Sequence, residues 1–223
     1  MTSTISKPDQ ERTHPKDKFK LYGLALGGLL AGLLLGWLTI SLLSGTLVFG
    51  SPSFHGTVIG SPAPMSDFTL TGHDGQQVRL HDFRDKVVLL YFGYTYCPDV
   101  CPATIAELSK AMKELNSKDR EKVQVLMVTV DPDRDSPEVL GQYLSHFDPS
   151  FLGLTGTDEE IAAAAKPFGI YYQKKEGTVE TGYLVDHTAT VAAVDKDGYL
   201  RLIYSFNTPG EDIAADLKRL AKD

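Results

Sequence analysis

The sequence VVLLYFGYTYCPDVCP, residues 87–102, carries the main signals for the fold of this chain. It opens as a continuous apolar, β-branched and aromatic run, which is typical of a strand buried on both faces. It closes on the only two cysteines, Cys97 and Cys101, each followed by a proline. Both thiols are therefore expected just before a helix, where unpaired backbone N–H groups favour the thiolate. Four apolar residues at helical spacing predict the buried face of that helix: Ile105, Leu108, Met112 and Leu115.

A long apolar stretch precedes this unit. No Asp, Glu, Lys or Arg occurs between residues 21 and 66, and residues 21–43 consist mainly of Leu, Gly and Ala. Such a stretch is long enough to cross a bilayer as one helix. A secretory signal peptide is the competing interpretation, but its apolar core spans only about 7–15 residues. Small residues at 44–46 keep cleavage open as an alternative, and we expect an uncleaved transmembrane anchor over 21–43.

The flanking charges predict the orientation of this anchor. Residues 1–20 carry a net charge of +2, and no Lys or Arg follows the apolar stretch until Arg79. The positive-inside bias then places the short N-terminus in the cytoplasm and everything after the anchor outside. The N-terminus does not have the Arg- and Ser-rich, acid-poor composition of a mitochondrial transit peptide. A bacterial inner membrane, crossed once, with the soluble domain in the periplasm, is the simplest setting.

Charge and composition also limit the classes of partner and the domain organisation expected for the rest of the chain. Subtracting the N-terminal +2 from the net charge of −7 leaves −9 for the remainder. An acidic domain without a basic run argues against nucleic acid and anionic lipid as partners. Residues 44–58 are rich in Ser, Gly and Thr and predict a linker, and residues 59–223 suffice for one domain with a full core. A disulfide that closes a gap of only three residues would remove little conformational entropy from the unfolded chain. We therefore expect the two thiols to have a chemical role and not a structural one.

The signals that follow predict an α/β fold. A second β-branched run over residues 123–130 predicts a strand parallel to the first. Capping boxes predict helices starting after Thr157 and after Thr208. Asp197-Gly198 predicts a hairpin turn, and Asp186-His187 interrupts an apolar strand region. Strands alternating with helices, then a hairpin and a final helix, predict a thioredoxin-like fold with a mixed central sheet.

The C-x3-C spacing alone is weak evidence for any particular function. Residues four apart on a helix have Cα atoms about 6 Å apart, close enough for a disulfide or a shared metal. Pro102 disfavours helical geometry at Cys101, so we expect the pair in a loop or first turn. Because chemistry gathers at the carboxyl ends of parallel strands, the cysteines, the Asp131 loop and the Asp186-His187 break should lie close together.

Six histidines are candidates for a third ligand. Five of them lie in terminal, linker, turn or helical positions and are interpreted as surface histidines: His14, His55, His73, His81 and His146. His187 differs because it interrupts an apolar region, where a hydrogen-bonded core histidine is the alternative to a ligand. Two thiolates and an imidazole suit Cu(I), Cu(II) or zinc. A structural zinc site requires four protein ligands and no convincing fourth is present, so copper is favoured.

The acidic loop after the second strand resembles the opening of a calcium site. Asp131, Asp133 and Asp135 have the alternating spacing, but Ser136 stands where an EF-hand requires Gly and Gln142 where it requires Glu. An EF-hand is therefore excluded, and turn formation with helix entry is the expected role.

Three motifs together resemble the Sco/SenC family. They are YFGYTYCPDVCP (91–102), DPDRDSP (131–137) and VDHT (185–188), in that order, and the likeness runs from about residue 59 to residue 220 with one N-terminal anchor before it. The resemblance implies a thioredoxin fold in which Cys97, Cys101 and His187 bind one copper ion. One departure is Tyr96, where many relatives have His. The position is outside the proposed ligand set, so it bears only on the surroundings of the site.

The resemblance implies a membrane-anchored copper metallochaperone that assists assembly of the dinuclear copper (CuA) site of cytochrome c oxidase. The expected partner is the copper-site subunit of that oxidase, with another copper chaperone or a thioredoxin-like reductant as further candidates. The alternative is a periplasmic thiol–disulfide oxidoreductase in which Cys97 attacks and Cys101 resolves. A thiol peroxidase is a third option that only the fold would support.

Overall fold

The computed structural model describes residues 15–43, 53–178 and 182–222. Contacts divide the chain into two units, residues 1–53 and 54–223. Most of the predicted N-terminal segment and linker (residues 1–14 and 44–52) lie outside the described residues.

The described residues of the first unit form one helix, α1, over Pro15–Leu43. Its segment Tyr22–Ser41 spans 20 residues with a mean hydropathy of 1.9. Within the described part of the chain this is the one helix long and apolar enough to cross a membrane. The structure thus has the N-terminal apolar helix that the sequence predicts.

The second unit contains ten strands and five helices among the described residues. The strands are β1 (Thr57–Val58), β2 (Thr69–Gly72), β3 (Gln77–Arg79), β4 (Val87–Gly93), β5 (Val123–Thr129), β6 (Leu152–Thr155), β7 (Tyr172–Glu176), β8 (Tyr183–His187), β9 (Val191–Val194) and β10 (Leu200–Tyr204). The helices are α2 (Val100–Lys113), α3 (Ser117–Arg120), α4 (Pro137–Ser145), α5 (Asp158–Ala165) and α6 (Gly210–Leu220), with 3-10 turns at Leu80–Phe83 and Lys166–Phe168.

Eight strands form a mixed sheet in the order β1-β10-β9-β4-β5-β6-β2-β3. The pairs β4–β5 and β5–β6 are parallel and the other pairs are antiparallel. The mixed central sheet is as predicted. It begins before the predicted linker boundary at residue 58, because Thr57 and Val58 already pair with β10.

Strand β4 is the centre of the sheet and is buried along its whole length, as its uninterrupted apolar sequence predicts. It pairs with β5 on one side and β9 on the other, so both of its edges are also covered. Helix α2 follows it and buries Ile105, Leu108 and Met112, packing against α6. The helix begins at Val100 and ends at Lys113, so it starts earlier than predicted and leaves Leu115 beyond its end.

Of the two predicted capping boxes, one is present in the structure and the other is not. The Thr157 hydroxyl accepts the backbone N–H of Glu160 at 3.2 Å, and the Glu160 carboxylate accepts that of Thr157 at 2.8 Å, which confirms this capping box. The box predicted at Thr208 is wrong, because its hydroxyl donates to the Ser205 carbonyl instead. Helix α6 begins at Gly210, whose N–H donates to Oε2 of Glu107 on α2 at 2.5 Å. The neighbouring helix supplies the cap that the local sequence does not.

Strands β7 and β8 form a separate two-stranded sheet. Their register pairs Tyr172 with His187 and Glu176 with Tyr183. Asp186 and His187, which interrupt the apolar pattern, both belong to β8, and the chain leaves extended pairing only after His187. This hairpin carries His187 to the end of β4.

Candidate metal centre

The two cysteines lie on either side of the start of α2. Cys97 precedes the helix, whereas Cys101 is its second residue, so the expectation that both thiols precede the helix holds only for Cys97. The N–H of Cys101 points to Sγ of Cys97 at 3.3 Å. Pro102 fits in this first turn because the N–H it lacks would have no partner within the helix. Cys101 is buried and Cys97 is half-buried, so only one sulfur is within reach of solvent.

His187 completes a three-residue cluster. Its Nε2 lies 3.3 Å from Sγ of Cys101, and the ligand atoms of Cys97, Cys101 and His187 all lie within 4.8 Å of one another. The ring packs edge-on against Tyr91 and Tyr94, with centroids 6.0 and 5.9 Å away. The structure therefore brings together the three residues that the sequence singles out, with the imidazole oriented by two aromatic rings.

Contacts between the two sulfurs separate their proton affinities. The pKa of Cys97 is lowered to about 3, first by a hydrogen bond from the Cys101 thiol and then by one from His187, against the opposing effect of partial burial. The same contact with Cys97, together with burial, raises the pKa of Cys101 above its usual value. In the metal-free reduced protein Cys97 is thus a thiolate and Cys101 a thiol at neutral pH.

The acidic loop after β5 touches the hairpin that carries His187. The buried carboxylate of Asp131 accepts hydrogen bonds from Nε of Arg134 at 2.5 Å and from the Tyr183 hydroxyl at 2.6 Å. Nη1 of Arg134 donates to the Tyr183 carbonyl at 3.1 Å, and its guanidinium lies 3.7 Å from the centre of the Tyr183 ring. We call Asp131, Arg134 and Tyr183 the hairpin clamp. Turn formation, predicted for this loop, is only part of its role.

Other contacts support the same arrangement. The buried N–H of Val185 donates to the Tyr94 hydroxyl at 3.2 Å, and Lys174 pairs with Asp133 at 2.6 Å. Val185 and Lys174 belong to the hairpin, whereas Tyr94 and Asp133 belong to the main body. The convergence predicted for the cysteine turn, the acidic loop and residues 186–187 is observed.

Asp135 has a role that the sequence did not reveal. Its carboxylate accepts the N–H and the hydroxyl of Thr95 at 3.0 and 2.6 Å, and the hydroxyl of Thr129 at 2.7 Å. Burial raises its pKa, opposed by these hydrogen bonds. Because Thr95 stands two residues before Cys97, Asp135 fixes the backbone that leads to the exposed sulfur. A spacing of 40 residues gives no local signal of this contact.

Four other histidines have partners away from the cysteines. Nδ1 of His73 accepts the N–H of Gly153, His55 and His81 lie beside Asp212 and Asp67, and His146, just after α4, contacts the carbonyl of Gln142 on that helix. His14 lies outside the described residues. Across the described ranges, Cys97, Cys101 and His187 are the one group with metal-binding geometry. Sulfur and imidazole donors suit Cu(I), Cu(II) and zinc, and three protein ligands are one fewer than structural zinc sites use.

Comparison with known proteins identifies the family. Residues 58–222 match SCO1/SenC, which is nearly the whole of the second unit. The chain belongs to the SCO1/SenC family. Within this family it is 35% identical to mouse "Protein SCO2 homolog, mitochondrial" over 154 residues, which is 69% of this chain and 60% of that protein. The chain thus spans about 60% of the length of the curated relatives it matches first.

Two solved structures of SCO1/SenC proteins are similar to this one. The solution structure of apo Sco1 from Thermus thermophilus shows 48% identity and a TM-score of 0.68, covering 77% of this chain and 99% of that one. The structure of Bradyrhizobium japonicum ScoI with copper bound shows 38% identity and a TM-score of 0.62, covering 71% and 99%. These similarities confirm the predicted thioredoxin-like fold and the predicted family.

Proposed function

We propose that this protein is a copper metallochaperone that binds one copper ion through Cys97, Cys101 and His187 and delivers it to the copper-site subunit of cytochrome c oxidase. The observation that carries the proposal is the convergence of two sulfurs and one imidazole nitrogen within 4.8 Å at the end of β4. A related protein of the same fold has copper bound. The oxidase as recipient follows from the resemblance of the three sequence motifs to the Sco/SenC family.

The three residues have different tasks in this function. Cys97 is half-buried and, as a thiolate, is the sulfur that incoming copper reaches first. Cys101 binds from the protein interior and releases its proton as copper loads, so copper binding weakens in acid. His187 binds as neutral imidazole from a hairpin outside the main sheet. A site of three ligands with one accessible sulfur allows an acceptor to add its own ligands before those of the donor leave.

Copper titration of the reduced full-length protein in detergent tests this site. The wild type is expected to bind one copper ion, Cys97→Ala to lose it, and His187→Ala to bind Cu(II) much more weakly. His146→Ala is the matched control, because that imidazole contacts the Gln142 carbonyl on α4 and lies outside the metal-binding cluster, and it should bind like the wild type. Unchanged Cu(II) affinity in His187→Ala would refute the three-ligand site. Transfer of the bound copper to the copper-free oxidase subunit tests delivery.

A thiol–disulfide oxidoreductase is the second candidate, favoured by the unequal pKa values of the two cysteines. The Cys97 thiolate would attack a disulfide in the oxidase copper site, forming a mixed disulfide and releasing one substrate thiolate. Cys101 would then lose its proton and displace the second substrate thiolate, leaving a Cys97–Cys101 disulfide. A thioredoxin-like dithiol would have to reduce that disulfide before another turnover. Rapid substrate reduction by His187→Ala, without stable copper binding by the wild type, would favour this role.

We also propose that α1 is an uncleaved anchor that holds the domain on the periplasmic side of a bacterial inner membrane. The length and hydropathy of Tyr22–Ser41 and the positive charge before it support this orientation. The chain has no cysteine besides Cys97 and Cys101, so thiol labelling reports the location of the domain directly. A membrane-impermeant maleimide should label Cys97 in intact, reduced spheroplasts. Labelling that requires cell lysis would place the domain in the cytoplasm.

A further inference from the structure

The phenol of Tyr91 is buried beside the metal centre without a hydrogen-bond partner. Tyr91 is 0% exposed. Within the part of the chain that the structure describes, its hydroxyl oxygen has no hydrogen-bond partner of normal geometry. A buried unpaired hydroxyl is destabilising, and phenylalanine would fill the same space without this cost. The hydroxyl therefore needs an explanation beyond packing.

The neighbours of this hydroxyl are the parts of the metal centre that solvent cannot reach. A β-carbon placed on Gly93 would lie 2.6 Å from Cε1 and 3.2 Å from Cζ of Tyr91, and 3.1 Å from Sγ of Cys101. The hydroxyl end of the ring and the buried sulfur thus meet over the same glycine. Thr104 is a second polar neighbour of the phenol, and its hydroxyl already donates to the Val100 carbonyl at 2.8 Å.

Metal loading changes what the Cys101 sulfur can accept. This sulfur lies 3.3 Å from Nε2 of His187, and the ligand atoms of Cys97, Cys101 and His187 lie within 4.8 Å of one another. A cysteine sulfur binds a metal ion as a thiolate, which keeps lone pairs that accept hydrogen bonds. The hydroxyl of Tyr91 is a buried donor beside this sulfur, and among the described residues it has no hydrogen-bond partner of normal geometry.

We propose that Tyr91 is a positioning residue whose hydroxyl donates a hydrogen bond to Sγ of Cys101 when that sulfur binds copper. The inference rests on the proposed copper site. A hydrogen bond to a ligating sulfur withdraws electron density from it, and such bonds tune the potential of copper–thiolate sites. Because the sulfur carries more negative charge on Cu(I) than on Cu(II), the bond favours Cu(I). Tyr91 would thereby hold copper in the reduced state without being a ligand.

The test compares Tyr91→Phe with Tyr204→Phe in the full-length protein. Tyr204 is the matched control, because it is also fully buried with an unpartnered hydroxyl, but its polar neighbour is Asp216 on α6. Cu(I) and Cu(II) affinities are measured by competition, and the sulfur-to-Cu(II) charge-transfer band by absorption. Tyr91→Phe is expected to shift the ratio of the two affinities about tenfold toward Cu(II), the size expected for one charge-assisted hydrogen bond.

The band gives a readout that a purely structural role would not move. A sulfur without its hydrogen bond is a stronger donor, so the band of Tyr91→Phe should move to longer wavelength, while Tyr204→Phe keeps the wild-type band. An unchanged band and affinity ratio in Tyr91→Phe, or equal changes in both variants, would overturn the inference while leaving the copper site intact. A wild type that binds no copper would overturn the proposed function, and this inference with it.

Discussion

Arg134 offers a strong test of how the site is built. Arg134→Ala removes the cation that faces the Asp131 carboxylate, whose side chain is 0% exposed while that of Arg134 is 19% exposed. Of the side chains that the structure describes, only the hydroxyl of Tyr183 then still contacts the carboxylate. Breaking a buried ion pair from one side leaves an uncompensated charge and costs about 3–5 kcal/mol. We therefore expect Arg134→Ala to lower the free energy of unfolding by that amount.

The pair formed by Lys174 and Asp133 provides the matched control. Its N–O distance is 2.6 Å, but its side chains are 42% and 65% exposed. An exposed ion pair contributes less than about 1 kcal/mol, so Lys174→Ala should be nearly neutral. Both variants remove one cation that joins the acidic loop to the β7–β8 hairpin, and they differ mainly in burial.

Urea unfolding of the full-length protein in detergent, followed by near-ultraviolet circular dichroism of its tyrosines, measures the difference. Adding Asp131→Asn to Arg134→Ala should restore part of the lost stability, because a neutral amide does not need a counter-charge. Equal losses in Arg134→Ala and Lys174→Ala would refute the reasoning. A double variant less stable than Arg134→Ala alone would show that the lost contact is packing against Tyr183 and not charge.

Three further predictions follow from single contacts. Gly93→Ala places a β-carbon 2.6 Å from the Tyr91 ring and 3.1 Å from the Cys101 sulfur. It should lower the free energy of unfolding by about 1–3 kcal/mol, measured by thermal unfolding, and weaken copper binding. Wild-type values of both quantities would contradict the close approach. Because the pKa of Cys97 is lowered to about 3, its alkylation rate in reduced metal-free protein should stay nearly constant from pH 5 to 8, whereas a tenfold rise per pH unit would indicate an ordinary thiol. The corresponding stability is fully present above the unfolded thiol pKa of about 8.5 and is lost as the pH falls toward 3. Asp216→Ala leaves the N–H groups of His55 and Gly56 unpaired and should cost about 1–3 kcal/mol, with faster proteolysis near residue 54 as the check; unchanged proteolysis would show that β1 alone holds this segment.

The sequence predicts elements whose signals are local. Strand β4 is apolar throughout and buried throughout, and the cap at Thr157 depends on contacts three residues apart. Strand β7 was missed because Gln173–Glu176 is polar and exposed, and such a segment becomes a strand only by pairing with β8. The apolar helix α1 was predictable because its composition alone determines it.

The candidate site likewise combines residues with a local sequence signal and contacts that only the fold creates. Cys97 and Cys101 stand out as the only cysteines, and His187 as a polar interruption of an apolar run. The hairpin clamp could not be predicted, since Tyr183 lies 52 residues from Asp131 and only the fold brings them together. The unpartnered hydroxyl of Tyr91 could not be predicted either, because a hydrogen-bond partner is found or lost only once the chain has folded.

The separation of the β7–β8 hairpin from the main sheet has a consequence for how firmly copper is held. Backbone hydrogen bonds of β4 and β5 break only when the sheet unfolds, whereas the hairpin can open as a local unit at a smaller free-energy cost. Its amides should therefore exchange with solvent deuterium faster than those of β4. The measured affinity then equals the affinity of the closed site multiplied by the closed fraction. A partner that binds the hairpin in its open position would lower copper affinity by linkage, without touching either sulfur.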